Sequence, residues 1–365
     1  MRALVVGGTG PTGPWMVRGL LERGYDVAIL HRGTHEVPEI PPEVEHLHVD
    51  PYVPEAFEAA VAGRRFDLCI AAYGRLRTIA ASMRDRADRF LSCGGGPAYL
   101  GYMHPEAFDP PGLPVPVAED SALVASEAED TKGYRIVRTE EAVFAAQPEA
   151  THFRYPIVYG PRQPMPREWC IVRRILDGRR RIVVPEGGLT AHHYGYAENV
   201  AHAVLLAVDK PEASRGKIYN CGDEEVLTLG QVVRLIADAL GVEMEMVSMP
   251  FELARPAWPM VGQPLPTHRV YDLARLKADL AYADVVPARE AMRRTARWLV
   301  ANPPERGGME ETALDDPFEY ETEDRLIDAW QQVRASMPEI SWQREPSFNL
   351  AYSGPGGRPR SKEFS

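Results

Sequence analysis

The apolar positions near the start of the chain fall into short runs separated by turn residues, and the period of the runs alternates. Ala3–Val6 is a continuous apolar run with β-branched character, the pattern of a strand buried on both faces. Met16, Val17, Leu20 and Leu21 then recur at helical steps, and Tyr25–Leu30 reads as a second strand. Val44–Val49 predicts a third, more polar strand. A helical segment through Ala56, Phe57 and Ala60 follows it, and Phe66–Tyr73 predicts a fourth strand. A short helix is expected around Ile79–Asp88 and a fifth strand at Arg89–Cys93. Strands alternating with helical segments imply βα units and a parallel sheet.

The pattern loosens at residues 98–130, a long acidic stretch carrying Pro-Pro-Gly-Leu-Pro-Val-Pro. A loop of that length inside a folded domain is expected to be functional. Trp169–Gly178 predicts an amphipathic helix and Arg181–Val184 a brief strand. Asn302-Pro303-Pro304 and Gly307-Gly308 punctuate a linker. Beyond it, Leu326, Ile327, Trp330, Val333 and Met337 share one face of a helix over Glu323–Met337. Ile340, Trp342, Phe348, Leu350 and Tyr352 are too apolar for simple disorder, whereas Ser353–Ser365 reads as a loose end. An apolar tail must pack somewhere, so residues 303–365 are expected to cover the substrate-binding part of the chain or the partner subunit of a homodimer.

Composition narrows the class. The chain has 365 residues, a quarter of them charged and near half apolar, an ordinary globular mixture. Its net charge of −11 argues against nucleic acid or an anionic membrane surface as partner. No apolar run reaches membrane-span length, and the first strand begins too early for a leader, so a cytoplasmic protein is expected. Cys69, Cys93, Cys170 and Cys221 are widely spaced, which suggests neither a disulfide framework nor a zinc site. His192 and His193 lack a neighbouring ligand at metal spacing, so packing or substrate contact is expected of them and no metal is expected.

The chemistry starts at the first turn. Gly7, Gly8, Gly10 and Gly13 follow the first strand directly, and Gly8-Thr9-Gly10-Pro11-Thr12-Gly13 satisfies G-x-G-x-x-G. Without Cβ atoms such a strand-to-helix turn lets a pyrophosphate approach backbone N–H groups at the positive end of the helix. After the second strand stands Arg32, where an acidic residue would hold a ribose 2′-hydroxyl; an arginine there suits a 2′-phosphate. That points to NADP(H) over NAD(H). Glu36 lies past the strand end and does not replace the missing acid.

The Gly-Gly-Thr-Gly-Pro-Thr-Gly run with its flanking strands resembles the extended short-chain dehydrogenase/reductases, the NAD(P)-dependent epimerase/dehydratases. Gly7, Gly10 and Gly13 carry that family's cofactor spacing. Val117-Ala118-Glu119-Asp120, Thr151–Arg162 (with Tyr155 inserted ahead of Pro156), Ala191–Val208, Lys217–Leu229, Tyr271–Leu280 and Ala288–Ala301 resemble its later elements, so the likeness runs to about residue 302. It implies an α/β fold: a Rossmann-type doubly wound parallel sheet in residues 1–161, completed by parts of 191–225, with a smaller substrate-binding domain mainly in 162–302. It also implies cofactor contacts from Gly7, Thr9, Gly10, Pro11, Thr12, Gly13, Asp50, Ala71, Ala72 and Pro156. Asp50 reads equally as a helix N-cap.

The family's working pair is Tyr-x-x-x-Lys on one helix face, with a Ser or Thr beyond the fifth strand. Here Tyr134 stands in place and Arg138 occupies the lysine position. Tyr134 is the expected acid/base; Arg138 keeps positive charge near phenol and ribose, or simply pairs with Glu141. Counting from the strand makes Ser92 the hydroxyl partner, while counting back from Tyr99 lands on Gly95, and Tyr99 itself offers a hydroxyl. Arg162, Arg173, Arg174 and Arg179-Arg180-Arg181 form a basic strip that suits a phosphorylated or carboxylated substrate, or is a solvated charge run. The resemblance therefore implies an NADP(H)-dependent oxidoreductase acting on a carbonyl or alcohol carbon of a small molecule. An NAD(P)-dependent sugar epimerase/dehydratase and a non-catalytic NADP(H) sensor are the alternatives.

Overall fold

The computed structural model describes residues 1–72, 74–262 and 265–346. Tyr73, at the expected end of the fourth strand, and Phe348, Leu350, Tyr352 and Ser353–Ser365 lie outside the described residues. Strands occur at β1 (Arg2–Val6), β2 (Asp26–His31), β3 (Glu45–His48), β4 (Phe66–Ala71), β5 (Ala87–Gly95), β6 (Thr151–Tyr155), β7 (Ile157–Tyr159), β8 (Arg181–Pro185), β9 (Tyr194–Tyr196), β10 (Ile218–Asn220) and β11 (Glu245–Met249). Seven of them form one parallel sheet in the order β3-β2-β1-β4-β5-β6-β10. The order reverses between β1 and β4, so the crevice of a doubly wound sheet opens at their C-terminal ends.

The alternation of side chains along each strand builds the two faces. Ala3 and Val5 of β1, Val27 and Ile29 of β2, and Leu68 and Ile70 of β4 share a core with Met16, Val17 and Leu20 of helix α1 (Gly13–Glu22). The helix Ala197–Asp209 packs into that same layer through Val200, Ala203 and Val204. Leu4, Val6, Ala28, Leu30, Cys69 and Ala71 point the other way. They meet helices α2 (Pro54–Val61), α3 (Leu76–Ser82) and α4 (Thr131–Ala146) through Phe57, Ile79 and Val143. Each Val, Leu, Ile, Phe or Met fully buried in these layers contributes about 1.5–3 kcal/mol.

The limits of the third helix and the fifth strand differ from the expected ones. The helix expected around Ile79–Asp88 ends at Ser82, and the fifth strand already begins at Ala87 and runs on to Gly95. Pro156 separates β6 from β7, because it has no N–H to give a ladder; β7 pairs instead with β9 in a separate two-stranded sheet. β8 and β11 form another such pair.

Met1–Glu319 make up one unit. Within it the segment Met309–Leu314 is helical, and Glu311 and Asp316 hold the helix Trp169–Leu176. Arg174 Nη1 lies 2.6 Å from Asp316, Trp169 Nε1 donates to Glu311 at 2.8 Å, and Arg173 lies 4.0 Å from the centre of the Phe318 ring. The second unit, from Tyr320, contains the helix Tyr320–Ser336, on which Val333 is 52% exposed; Met337, just past its end, is 68% exposed.

Candidate active site

The glycine turn joins β1 to α1 at the crevice. Gly7 and Gly8 take φ of 111° and 87°, a region open to glycine, and the Gly7 N–H donates to Leu30 O at 2.9 Å across the sheet. A Cβ on Gly13 would stand 2.2 Å from Gly8 O, so only glycine lets the helix start this close to the strand end. A Cβ on Gly10 would meet nothing within 4 Å. Thr12 is the N-cap of α1 with no side-chain cap bond, and no acidic residue sits in the first turn. The positive end of the helix is therefore uncompensated by a carboxylate and faces the turn that Thr9, Gly10, Pro11 and Thr12 form.

Around this turn stand the other rim residues. Arg32 is exposed, one residue beyond β2. Ala71 ends β4, and the Ala72 N–H donates to Val6 O at 3.2 Å, which holds the turn after β4 beside the end of β1. Asp50 follows β3, but its carboxylate accepts the Tyr52 N–H at 2.9 Å, and Val53 rather than Asp50 is the N-cap of α2. Pro156 follows β6, 3.0 Å from where a Cβ on Gly195 would lie.

The expected catalytic trio does not meet through its hydrogen bonds. Tyr134 is half-buried in the second turn of α4, packed with Ala98, Val124 and Val137. Arg138 lies one turn on, exposed, and its guanidinium donates to Glu141. Ser92 requires a correction. It stands three residues inside β5, fully buried between Ala71 and His152, with Oγ 2.8 Å from His152 Nδ1. No substrate reaches a hydroxyl sealed within the sheet; β5 ends at Gly95, the position found by counting back from Tyr99. Tyr99 is also fully buried, its hydroxyl donating to Asn220 Oδ1 at 2.6 Å, and burial pushes its phenol up to about 12.

Beneath the rim lies a buried polar network that sequence reading did not anticipate. Arg154 of β6 donates to both oxygens of Glu140 on α4, at 3.0 and 2.7 Å, and to Glu119 O at 3.1 Å. Its guanidinium lies 4.6 Å from the centre of the Tyr99 ring. His152 Nε2 stands 3.4 Å from Glu140, and a Cβ on Gly94 would strike that nitrogen at 2.6 Å. Glu119, within the expected Val-x-Glu-Asp element, accepts the Asn220 N–H at 2.9 Å. Burial pushes the Glu140 carboxyl up, but the neighbouring His152 ring and the bonds from Arg154 outweigh it and hold it at about 2.

The remaining candidates are occupied structurally. His192 Nε2 faces Thr267 O at 3.2 Å and His193 Nε2 faces Asp223 O at 2.7 Å. Burial pushes the two imidazoles down, to about 3 and about 4, so both are neutral packing groups. In the basic strip, Arg162 pairs with Glu39 at 2.8 Å, Arg173 with Glu311 and Asp177, and Arg174 with Asp316. A different cluster was missed: His31, Glu36, His46 and His48 converge at the ends of β2 and β3. The His-x-His spacing in β3, which puts two imidazoles on one strand face, was the signal available.

Residues 3–98 and 133–222 match the NAD dependent epimerase/dehydratase family, just over half of the chain. The chain belongs to that family. Among curated relatives, the y4nL protein of Sinorhizobium fredii is 25% identical over 189 residues, covering 46% of this chain and 52% of that one. The mitochondrial NADH dehydrogenase (ubiquinone) 1 alpha subcomplex subunit 9 of Arabidopsis thaliana is 24% identical over 290 residues, 76% of this chain and 69% of its own length. The chain thus spans about half the length of the first relative and somewhat over two thirds of the second. Among solved structures, a UDP-glucose 4-epimerase from Thermotoga maritima with UDP-glucose superposes at a TM-score of 0.65 and 20% identity, over 83% of this chain and all of that one. The Thermus thermophilus UDP-glucose 4-epimerase complex with NAD gives 0.62 at 22% identity, over 82% and 99%. These likenesses establish the Rossmann-like fold. No helix among the described residues is long and apolar enough to cross a membrane.

Proposed function

We propose that this chain is an NADP(H)-dependent oxidoreductase acting on a carbonyl or alcohol carbon of a small molecule, with Tyr134 as acid/base. The observation that supports it most is the glycine turn, whose fit to a diphosphate is local and steric. Gly13 lets backbone meet backbone, Gly10 leaves open space above the turn, and the helix end carries no carboxylate. Gly7, Thr9, Gly10, Pro11, Thr12 and Gly13 would hold the diphosphate, Arg32 a 2′-phosphate, and Asp50, Ala71, Ala72 and Pro156 the flanking groups. When bound, the cofactor supplies or takes a hydride. The protein's part is to exclude water, orient the reacting carbon and move a proton at the Tyr134 hydroxyl. In this reading residues 162–302 provide most of the substrate surface. Arg138, engaged by Glu141, is assigned charge and no proton.

A second reading, dinucleotide binding without turnover, draws support from Ser92, which is sealed in the sheet, and from Arg138, which is paired away. Calorimetry with NADPH and NADH separates these readings from their common failure. Heat with NADPH above that with NADH, reversed in Arg32→Glu, is expected. The NAD-bound relative makes a preference for NADH the result that overturns the 2′-phosphate assignment. Silence with both overturns dinucleotide binding altogether. Oxidation of NADPH by a panel of carbonyl compounds, abolished in Tyr134→Phe, would then favour the enzyme over the sensor.

A further inference from the structure

We propose that His31, Glu36, His46 and His48 form a binding site for a zinc-type divalent transition metal. The sheet itself assembles it. In the β2–β3 ladder His31 lies directly opposite His48, and His46, two residues earlier on β3, shares its face. The loop after β2 then brings Glu36 back over the three rings. One ligand atom from each of the four residues lies within 4.8 Å of all the others.

Four of the six ligand–ligand spacings run close to those of a coordination shell. His31 Nε2 lies 3.2 Å from His46 Nδ1, and Glu36 oxygens lie 3.6, 3.2 and 3.0 Å from His31, His46 and His48. Four ligands at zinc's ~2.0–2.1 Å bond lengths define a tetrahedron whose edges are about 3.3–3.4 Å. The rings stand nearly perpendicular to one another, at 72°, 89° and 88°, with centroids 5.2, 5.0 and 5.7 Å apart, an arrangement without parallel stacking. Three imidazoles and one carboxylate suit zinc, cobalt, nickel or copper, whereas magnesium and calcium want oxygen.

One contact must yield. The Gly33 N–H points at His31 Nδ1 from 3.3 Å, and a metal on Nε2 puts the ring proton on Nδ1. Gly33, exposed and at a φ of 72°, is the residue that can turn its peptide aside. His31 is buried, His46 half-buried and Glu36 and His48 exposed, which leaves a path for the ion from solvent. Bound there, a metal would clip β3, the edge strand of the large sheet, to its neighbour.

The test uses the full chain without a histidine tag, stripped by chelator and reloaded with Zn2+ or Co2+. After gel filtration, metal analysis is expected to find one equivalent, and the Co2+ form to show the intense visible bands of tetrahedral coordination. Zn2+ is expected to raise the melting temperature. His46→Gln/His48→Gln should lose all three responses, and His35→Gln, an exposed neighbour outside the cluster, should keep them. If the double variant does not fold, His48→Gln alone serves, since that side chain is 55% exposed. Metal-free protein after reloading, weak octahedral Co2+ bands, or equal binding by a folded His48→Gln variant would each overturn the site. None of these readouts depends on a dinucleotide.

Discussion

Arg154 grips both carboxylate oxygens of Glu140, at 3.0 and 2.7 Å, with the two residues only 1% and 4% exposed. This pair ties helix α4, which carries Tyr134, to strand β6, whose end forms part of the crevice. A buried ion pair adds little over an apolar one, but breaking it strands a charge. Glu140→Gln is therefore expected to cost about 3–5 kcal/mol in urea unfolding at pH 7. The carboxyl is held at about 2 against an ordinary 4.5, so its contribution is fully present above pH 4.5 and is lost as pH falls toward 2. The gap between parent and variant should shrink over that window, and a gap that stays constant would contradict the pairing.

Gly10 and Gly13 separate binding from folding. Gly13→Ala drives a Cβ into Gly8 O, so it should lower the melting temperature as well as dinucleotide affinity. Gly10→Ala meets only open space, so it should melt like the parent and still lose at least about tenfold in affinity, or about 1.4 kcal/mol. Calorimetry alongside thermal unfolding checks both. Unchanged affinity in Gly10→Ala would move the diphosphate away from this turn.

Much of this architecture was legible because periodicity is a local signal. Ala3–Val6 reads as a doubly buried strand and is one, and the helix that Trp169–Gly178 predicts runs over Trp169–Leu176. Errors arose where tertiary pairing sets the limit. Ala87 and Asp88 read as the end of a helix, yet the open edge of β4 recruits them into β5 through the pairing of Phe66 with Ala87. At its other end β5 runs two residues past Cys93, which leaves Ser92 three residues inside the strand and Gly95 at its end. Glu140 with Arg154, and His31 with His48, were invisible for a related reason: the first pair is made by packing of α4 against β6 and the second by strand register, neither of which a single stretch of sequence specifies.

Tyr134 and Arg138 should respond differently to replacement. Tyr134→Phe removes the assigned proton carrier and is expected to lower turnover by about 10²–10⁴-fold while leaving dinucleotide binding intact. The Arg138–Glu141 pair is more than half exposed, so Arg138→Ala should change stability by no more than about 1 kcal/mol. A Tyr134→Phe enzyme with parental turnover, against any substrate that the panel finds, would remove Tyr134 from the chemistry.

Glu168 makes a prediction of opposite sign to Glu140. It precedes the helix Trp169–Leu176 without capping it, is 3% exposed, and among the described residues its Oε2 has no hydrogen-bond partner. Burial pushes the carboxyl up to about 7 from 4.5. The unfolded chain thus releases this proton first, so the folded state pays nothing below pH 4.5, loses stability as pH rises to 7, and carries the full penalty beyond it. That penalty is about 3 kcal/mol at most. Glu168→Gln removes it but buries an amide, which costs roughly 1 kcal/mol or more unless it finds a partner. The variant should therefore be about 1–2 kcal/mol more stable than the parent at pH 8 and no more stable at pH 4. Urea unfolding at the two pH values decides it, and a variant less stable at pH 8 would mean that the native carboxylate is held ionised by groups this geometry does not provide.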